Sequence, residues 1–225
     1  MSKIANRLIN VYKPIKSGSI RFDGTQKCKV DSPILIGTSQ DFTIEAFVYR
    51  TANNSIYDGI FSIRGFGVDW NAGPGQGLVM ACGNMHVGDF GSVTFSQSVP
   101  LNTWTHIAIS RNGTALNAYI NGVKVGAATS SSALGLSGYY PIIGAFDQAG
   151  GSDRYNLVGS ITNLRVCVGT GLYPAAFTPP STKLSLITNT KFLLPANSAG
   201  NFLQDTSGFN TLTNYGATYN PATPF

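Results

Sequence analysis

The stretch from Trp104 to Gly126, WTHIAISRNGTALNAYINGVKVG, constrains the fold more than any other part of the chain. Apolar and polar residues alternate around two Asn-Gly pairs, at 112–113 and 121–122, with the period of a strand that has two different faces. Asn and Gly tolerate the positive φ that both central residues of a type I′ hairpin turn require. The stretch therefore predicts three antiparallel strands joined by two tight turns.

Short strand-like runs, separated by Gly-rich or Asn/Ser-rich turns, follow one another along the rest of the chain. Besides the meander they lie at 19–22, 27–30, 42–49, 58–64, 77–82, 92–95, 140–145 and 156–168. The sequence shows no convincing long amphipathic helix, and many short strands at this spacing are typical of a sandwich or barrel. A chain of 225 residues with 43% hydrophobic residues is large enough to form one all-β domain.

Four strand-like runs resemble the strands of laminin-G-like domains, which belong to the concanavalin A-like lectin/glucanase jelly rolls. They are the WTHIA and YINGV runs of the meander, FTIEAFVYR at 42–50 with Phe47 in place of the commoner Trp, and SIRFDG at 19–24. The resemblance covers roughly residues 18 to 180 and implies an all-β jelly-roll sandwich of two antiparallel sheets. This sandwich hosts lectins, hydrolases, adhesion modules and structural proteins, so the resemblance leaves the function open.

The segment that follows the last core strand carries a second resemblance. GSITNLRV, from Gly159, resembles the final core strand of laminin-G-like domains, and the GxxxY…FTPP…L pattern with TNTKFLL after it resembles phage virion proteins, including tail fibres and capsid-associated fibres. Pro179 and Pro180 are incompatible with a helix or a strand ladder. We therefore expect an ordered strap that wraps the sandwich, anchored by the buried rings of Tyr173 and Phe177.

Residues 190–219 resemble the element that often precedes the SIRFDG-like strand in this family, although here they lie near the C-terminus. We infer that the two ends of the chain meet and pair in one sheet. This predicts a single sandwich over 18–225, with the strap and the closing strands at about 170–225. The alternative is a second mini-domain, but some 40 residues without disulfides or a metal would be marginally stable alone.

The charge of the chain is concentrated at its N-terminus. The net charge is +5, and the residues before Asp23 include five basic and no acidic side chains, Lys3, Arg7, Lys13, Lys16 and Arg21. The rest of the chain is neutral, which does not fit a nucleic-acid reader with a basic face on its fold. Residues 1–17 are read either as an arm that docks on a partner or as a disordered tail.

The cysteines and the hydropathy indicate where the chain is made. Cys28, Cys82 and Cys167 are widely spaced and form no CxxC or Cys/His cluster, so we expect three buried free thiols and no zinc. The N-terminus lacks the apolar run of a signal peptide, and no segment has the roughly 20 apolar residues of a membrane-spanning helix. These features predict synthesis in a reducing cytoplasm and no membrane insertion.

Glycoside hydrolysis requires two carboxylates at a defined separation. The chain has one glutamate, Glu45, and FTIEAFVYR lacks the clustered acids that the hydrolase relatives carry on one strand face. We expect Glu45 to be a structural strand residue, hydrogen-bonded or exposed. His86 and His106 have no Ser or Cys partner in a recognisable motif, so His106 is assigned to packing or hydrogen bonding.

Two polar loops are the candidate binding regions. Trp70 and Asn71 lie in GFGVDWNAGPGQG, and aromatic rings beside polar groups suit sugars, whose C–H faces stack on rings. Tyr139, Tyr140 and Tyr155 are assigned to the same candidate glycan surface. The alternative is that Trp70 plugs the core or packs against a neighbouring subunit.

The second loop, FDQAGGSDRY, is a candidate calcium site. Asp147 and Asp153 could place carboxylate oxygens on one rim, and Ca²⁺ takes about 6–8 oxygen ligands. Laminin-G-like relatives often hold calcium at such a rim, but their ligands do not map here residue by residue. A plain polar turn is the alternative.

Together these features predict a non-enzymatic virion protein, a phage fibre, tail or capsid-surface component that binds host surface carbohydrate. The alternative is a purely structural decoration protein whose loops make subunit contacts, and a polysaccharide hydrolase is a distant third. The expected partners are other virion proteins, through residues 1–17, and further copies of the chain. Nucleic acid is not expected as a partner.

Overall fold

A computed structural model describes residues 17–37, 39–63, 78–87, 92–129, 139–147 and 153–225. This part of the chain is all-β and contains no helix, and so no helix in it is long and apolar enough to cross a membrane. Its strands are β1 Ser19–Asp23, β2 Lys27–Val30, β3 Phe42–Arg50, β4 Gly59–Ile63, β5 Leu78–Ala81, β6 Asn84–Val87, β7 Ser92–Thr94, β8 Trp104–Asn112, β9 Ala115–Ile120, β10 Val123–Thr129, β11 Pro141–Ile143, β12 Phe146–Asp147, β13 Asp153–Arg154, β14 Val158–Val168, β15 Thr190–Leu194, β16 Leu212–Tyr215 and β17 Thr218–Asn220.

The strands form two large antiparallel sheets packed as a sandwich, as the jelly-roll prediction requires. The first sheet has the order β10-β9-β8-β3-β14-β1-β17, with β15 paired to the second half of β14. The second has the order β16-β2-β11-β4-β5-β6-β7, and β12 and β13 form a separate two-stranded ladder. The predicted all-β fold with two antiparallel sheets is confirmed.

Alternation along the strands decides which side chains enter the core. In β3 the residues Phe42, Ile44, Ala46 and Val48 are buried between the sheets. Their neighbours at positions 43, 45, 47 and 49 therefore point away from the core, because successive side chains of a strand face opposite ways. We call this surface of the first sheet the outer face.

The two turns of the meander differ. Asn121 and Gly122 both have positive φ, 48° and 75°, and link Ile120 to its partner Val123, as a type I′ turn requires. The turn predicted at Asn112–Gly113 is displaced by one residue. Asn112 is still paired with Ala115, so the loop is Gly113–Thr114, and of these two residues only Gly113 has positive φ, as in type II′ turns.

The two ends of the described chain pair with each other, once in each sheet. β17 lies beside β1, with Ile20 opposite Tyr219, and β16 lies beside β2, with Val30 opposite Leu212. The expected meeting of the ends is present, but it closes both sheets rather than one. The hydroxyl of Ser19 also donates a hydrogen bond to the carbonyl of Ala222 at 2.8 Å.

Residues 169–189 form the predicted strap, which crosses the outer face of the first sheet without joining a ladder. It is held by sheet side chains: the backbone N–H groups of Leu172 and Tyr173 donate to Thr43 Oγ1 at 2.8 Å and Ser110 Oγ at 3.2 Å. Further along, Leu184 N–H donates to Asn163 Oδ1 at 2.9 Å. These hydrogen bonds to side chains of the sheet take the place of a strand ladder, which the two prolines of the segment do not allow.

The three cysteines are free and buried, as predicted. Burial raises the pKa of Cys28 and Cys82 to about 12 and also raises that of Cys167, whose thiol lies 3.8 Å from Thr190 Oγ1. A thiol with a raised pKa forms little thiolate at neutral pH and is a poor nucleophile. The cysteines therefore act as small apolar side chains.

Candidate functional site

The outer face carries a buried carboxylate, that of Glu45. Arg165 donates to Glu45 Oε1 from Nε at 2.9 Å and from Nη2 at 2.6 Å. On the other oxygen, Oε2, the hydroxyl of Tyr173 donates at 2.8 Å and His106 Nε2 lies at 3.0 Å. A carboxylate only accepts, so His106 carries its proton on Nε2, and its Nδ1 has no hydrogen-bond partner among the described residues.

The electrostatics of this cluster keep Glu45 ionised. Burial acts to raise the pKa of Glu45, but the hydrogen bond from His106 and the positive charge of Arg165 outweigh it, so the pKa lies below its ordinary value. Burial, together with the charge of the same carboxylate, raises the pKa of the Tyr173 hydroxyl. A general acid in glycoside hydrolysis needs the opposite shift, a carboxyl pKa raised towards neutrality.

The strap seals this carboxylate from solvent. The rings of Tyr173 and Phe177 stack at a centroid distance of 3.7 Å and an angle of 7°, and both meet the His106 ring edge-on. The Tyr119 hydroxyl donates to the carbonyl of Tyr173 at 2.9 Å, and Phe177 N–H donates to the carbonyl of Gly122 at 3.1 Å. Glu45 has no exposed surface and is hydrogen-bonded, which is one of the two arrangements expected of it as a strand residue.

The predicted glycan residues fall at two ends of the second sheet. Tyr140 is 43% exposed, and Lys29 Nζ lies 4.4 Å from its ring centroid. Tyr139 is partly buried and packs against the core. Both precede Pro141, which pairs with Ile63 at the end of β4. Trp70 and Asn71 lie outside the described residues, so their place in a glycan site stays a prediction.

Tyr155 belongs to a different cluster. It is 38% exposed, has a positive φ of 54°, and its ring meets those of Tyr57 and Phe146 at 5.3 and 5.7 Å. Its carbonyl accepts a hydrogen bond from Gly59 N–H at 2.7 Å, at the opposite end of β4 from Ile63. The structure therefore does not bring Tyr155 together with Tyr139 and Tyr140.

The two candidate calcium ligands are neighbours across a ladder. Asp147 in β12 pairs directly with Asp153 in β13, so the stretch predicted to be a connecting loop includes two short strands. Phe146, beside Asp147 in β12, is fully buried. The side chains of both aspartates are outside the described set. Among the residues that are described, no three His, Cys, Asp or Glu side chains could hold a metal ion, and calcium here stays a prediction.

An open groove lies on the outer face, at the end away from the strap. Its volume is about 490 Å³. Its lining comes from four neighbouring strands and the residue that follows β3: Arg21, Phe22, Asp23, Tyr49, Thr51, Val158, Gly159, Ser160 and Asn220. Sequence reasoning missed this site. The alternation in SIRFDG already directs Arg21 and Asp23 away from the core, but only the sheet order places Tyr49 and Asn220 beside them.

With this geometry established, comparison with known proteins identifies the family. Residues 22–169 match the family described as the concanavalin A-like lectin/glucanases superfamily. The chain belongs to this superfamily. A comparison with curated protein sequences finds no match.

Two solved structures illustrate the shared fold. A protein from Bacteroides ovatus ATCC 8483, provisionally described as carbohydrate binding, has a TM-score of 0.62 at 14% identity over 90% of this chain and 59% of its own length. The native heptameric SAP-like pentraxin from Limulus polyphemus has a TM-score of 0.53 at 15% identity over 92% and 95% of the two chains. At this identity the likeness shows the fold alone.

Proposed function

We propose that this chain is a non-enzymatic carbohydrate-binding component of a virus particle. The observation that carries the proposal is the state of Glu45, the one glutamate in the sequence. It lies on a sheet face of a lectin/glucanase sandwich, yet its partners are Arg165, His106 and Tyr173 under a strap, and none of them is a second carboxylate. A hydrolase needs two carboxylates that reach the substrate.

Carbohydrate binding is supported by side chains outside this sealed cluster. Half-exposed aromatic rings with polar neighbours, such as Tyr140 beside Lys29, offer a sugar both an apolar face and hydrogen-bond partners. Such shallow sites bind weakly one at a time. Many copies on one particle raise the overall affinity through avidity, which suits a surface component of a virion.

The virion setting is supported by the sequence. The GLYPAAFTPP segment that resembles phage fibre proteins is the strap, and the basic residues 1–17 are suited to docking on another particle protein. In this proposal the chain is made in the host cytoplasm, assembles with further copies of itself and contacts host surface glycans. Deleting residues 1–17 is then expected to leave the sandwich folded and to abolish incorporation into particles.

A structural decoration role is the second candidate, and an apolar surface favours it. Leu35 and Phe209 are 63% and 66% exposed and line a depression of about 260 Å³ with Lys191, whose Nζ lies 5.6 Å from the Phe209 ring. Exposed apolar side chains that lie together on a surface are typical of protein contact sites.

The deciding experiment presents the purified chain, immobilised at high density, to an array of bacterial surface polysaccharides and measures both retention and release of reducing ends. We expect retention of particular glycans without cleavage. Release of reducing ends by the wild-type chain and by Glu45→Gln alike would replace the proposal with a hydrolase at another site. Absence of retention, together with self-association that Phe209→Ser abolishes, would favour the decoration role.

A further inference from the structure

We propose that the open groove at the end of the outer face is a binding site for an uncharged oligosaccharide, which lies across the strands. This inference rests on the proposed carbohydrate binding and assigns it to a surface distinct from the Tyr139–Tyr140 and Tyr155 regions. The inference is supported by the shape of the groove, by the side chains that line the groove and by the contacts that hold these side chains.

The sheet order gives the groove its length. Tyr49 lies on β3, Ser160 on β14, Arg21 on β1 and Asn220 on β17, and these are four consecutive strands. Adjacent strands are about 4.8 Å apart, so the lining side chains span about 14 Å. A volume of about 490 Å³ is within the range of ligand sites, about 300–1,000 Å³. A short oligosaccharide fits this length better than a single sugar.

One end of the groove supplies an aromatic surface. The half-buried ring of Tyr49 leans against Trp104 at a centroid distance of 5.5 Å and an angle of 52°. Contact with the larger ring limits the rotamers of Tyr49 before any ligand binds. The apolar C–H face of a sugar packs on such a ring, and an ordered ring loses little entropy on binding.

The other end supplies fixed hydrogen-bonding groups. The Asp23 carboxylate accepts from Thr25 N–H at 3.0 Å, from the Thr25 hydroxyl at 2.8 Å and from Gln26 Nε2 at 2.8 Å. The Thr25 hydroxyl bond is the largest of several effects that lower the pKa of Asp23, so the group is an anion and an acceptor at neutral pH. Asn220 Nδ2 donates to Ser160 Oγ at 3.1 Å, which orients the amide at the far strand.

The charges of the groove favour an uncharged ligand. Arg21 and Asp23 are exposed, lie two residues apart on the same face of β1, and are the two charged side chains that line the groove. A guanidinium that donates and a carboxylate that accepts together match neighbouring hydroxyls of a sugar, each of which can do both. Because Arg21 and Asp23 carry opposite charges, the groove lacks the net positive charge that would select an acidic sugar.

The test measures binding of wild type and of three single variants, Tyr49→Ala, Arg21→Ala and Asp23→Ala, to immobilised uncharged and uronic-acid-containing bacterial oligosaccharides. We expect the wild type to retain uncharged glycans and each variant to bind them about tenfold more weakly, since one hydrogen bond to a charged group or one stacked ring accounts for that factor. Lys124→Ala removes an exposed charge at the far edge of the same sheet and is expected to bind as the wild type does. Circular dichroism confirms folding, and the exposed Arg21 and Asp23 decide the question if Tyr49→Ala does not fold.

The outcomes separate this inference from the proposed function. If glycans bind the wild type and all three groove variants equally, the groove is not the site, while carbohydrate binding by the chain stands. If the Tyr140→Ala variant then lost glycan binding, the glycan site would lie beside Tyr140, at the start of β11. Preference for acidic glycans would also overturn the inference. Failure of the wild type to retain any glycan would overturn both.

Discussion

The two halves of the outer face share strands β3 and β14, but the strap covers one half and leaves the other open. In the covered half, Glu45 of β3 and Arg165 of β14 lie under the strap and bind each other at 2.6 Å. In the open half, Tyr49 of β3 and Ser160 of β14 line the groove. The ring of Phe225 packs on Phe47, midway between Glu45 and Tyr49 along β3, at a centroid distance of 4.8 Å.

The difference shows that the polar groups of a sheet face remain available to a ligand only where no other part of the chain covers them. Under the strap, the oxygens of Glu45 are used by partners of the same chain, and the carboxylate contributes to holding the strap in place. In the groove, Arg21 and Asp23 remain exposed and keep hydrogen-bonding capacity for a ligand. Variants in the covered half should therefore change stability, and variants in the open half should change binding.

The largest expected effect is that of Arg165→Met. It removes the cation that neutralises Glu45 and leaves a buried carboxylate with only His106 and Tyr173, so we expect a loss of about 3–5 kcal/mol in the free energy of unfolding. Urea denaturation measures it. Arg21→Met, the matched change in the open half, should stay within about 0.5 kcal/mol of the wild type, as exposed substitutions usually do. Equal losses for the two variants would remove the distinction between the halves.

Alanine substitutions at the two turn glycines of the meander test the contact between the strap and the second turn. Gly122 and Gly113 both have positive φ, but a Cβ at Gly122 would collide with the carbonyl of Phe177, while a Cβ at Gly113 meets nothing. Gly113→Ala should cost about 1 kcal/mol for the left-handed backbone. Gly122→Ala should cost about 3 kcal/mol because the strap must also move. Similar melting temperatures for the two variants would show that the strap does not press on this turn.

A smaller effect is expected for Tyr173→Phe, which keeps the ring stacked on Phe177 and removes the hydroxyl from Glu45. A hydrogen bond to a charged group is worth about 1.5–3 kcal/mol, so a loss of about 2 kcal/mol is expected. Tyr119→Phe removes a bond to a neutral carbonyl and should cost about 1 kcal/mol. Chemical denaturation of both variants compares the two bonds, and the account is weakened if Tyr119→Phe proves the more damaging.

The smallest expected effect is on the pH dependence of the stability of the fold. The pKa of Glu45 is lower in the native chain than its ordinary value of 4.5, so the native state binds fewer protons than the unfolded chain between these values. The stabilisation is therefore complete above about pH 4.5 and is lost as the pH falls through the native pKa. Melting curves should show a shallower decline below pH 4.5 in Glu45→Gln than in the wild type. Asp23→Asn, in the exposed half, should alter this slope less.

Local chemistry allowed the strands and the strap to be predicted. Alternation in the meander, the SIRFDG and FTIEAFVYR runs and the two prolines act within a few residues, so their consequences are readable from the sequence. The exact position of the turn at Gly113 could not be predicted from the sequence, because the pairing of Asn112 with Ala115 depends on how far the two strands continue. The β12–β13 ladder was missed because each strand has only two residues.

The Glu45 cluster and the groove could not be predicted, because both depend on contacts between residues that are far apart in the sequence. Arg165 is 120 residues from Glu45, and Asn220 reaches the groove only because the chain ends pair in the first sheet. The open half therefore combines residues from β1, β3, β14 and β17 that no local pattern connects. The predicted site residues Trp70 and Asn71, and the arm at 1–17 but for Ser17, lie outside the described residues and stay predictions.

The most direct test of the central contrast is a crystal structure of the whole chain with the tightest-binding uncharged oligosaccharide from the array. We expect a sugar stacked on Tyr49 with hydroxyls bound to Arg21 and Asp23, and a strap whose Tyr173 still donates to Glu45. A sugar that displaces the strap and reaches Glu45, or one that leaves the groove empty and binds beside Tyr140, would contradict it.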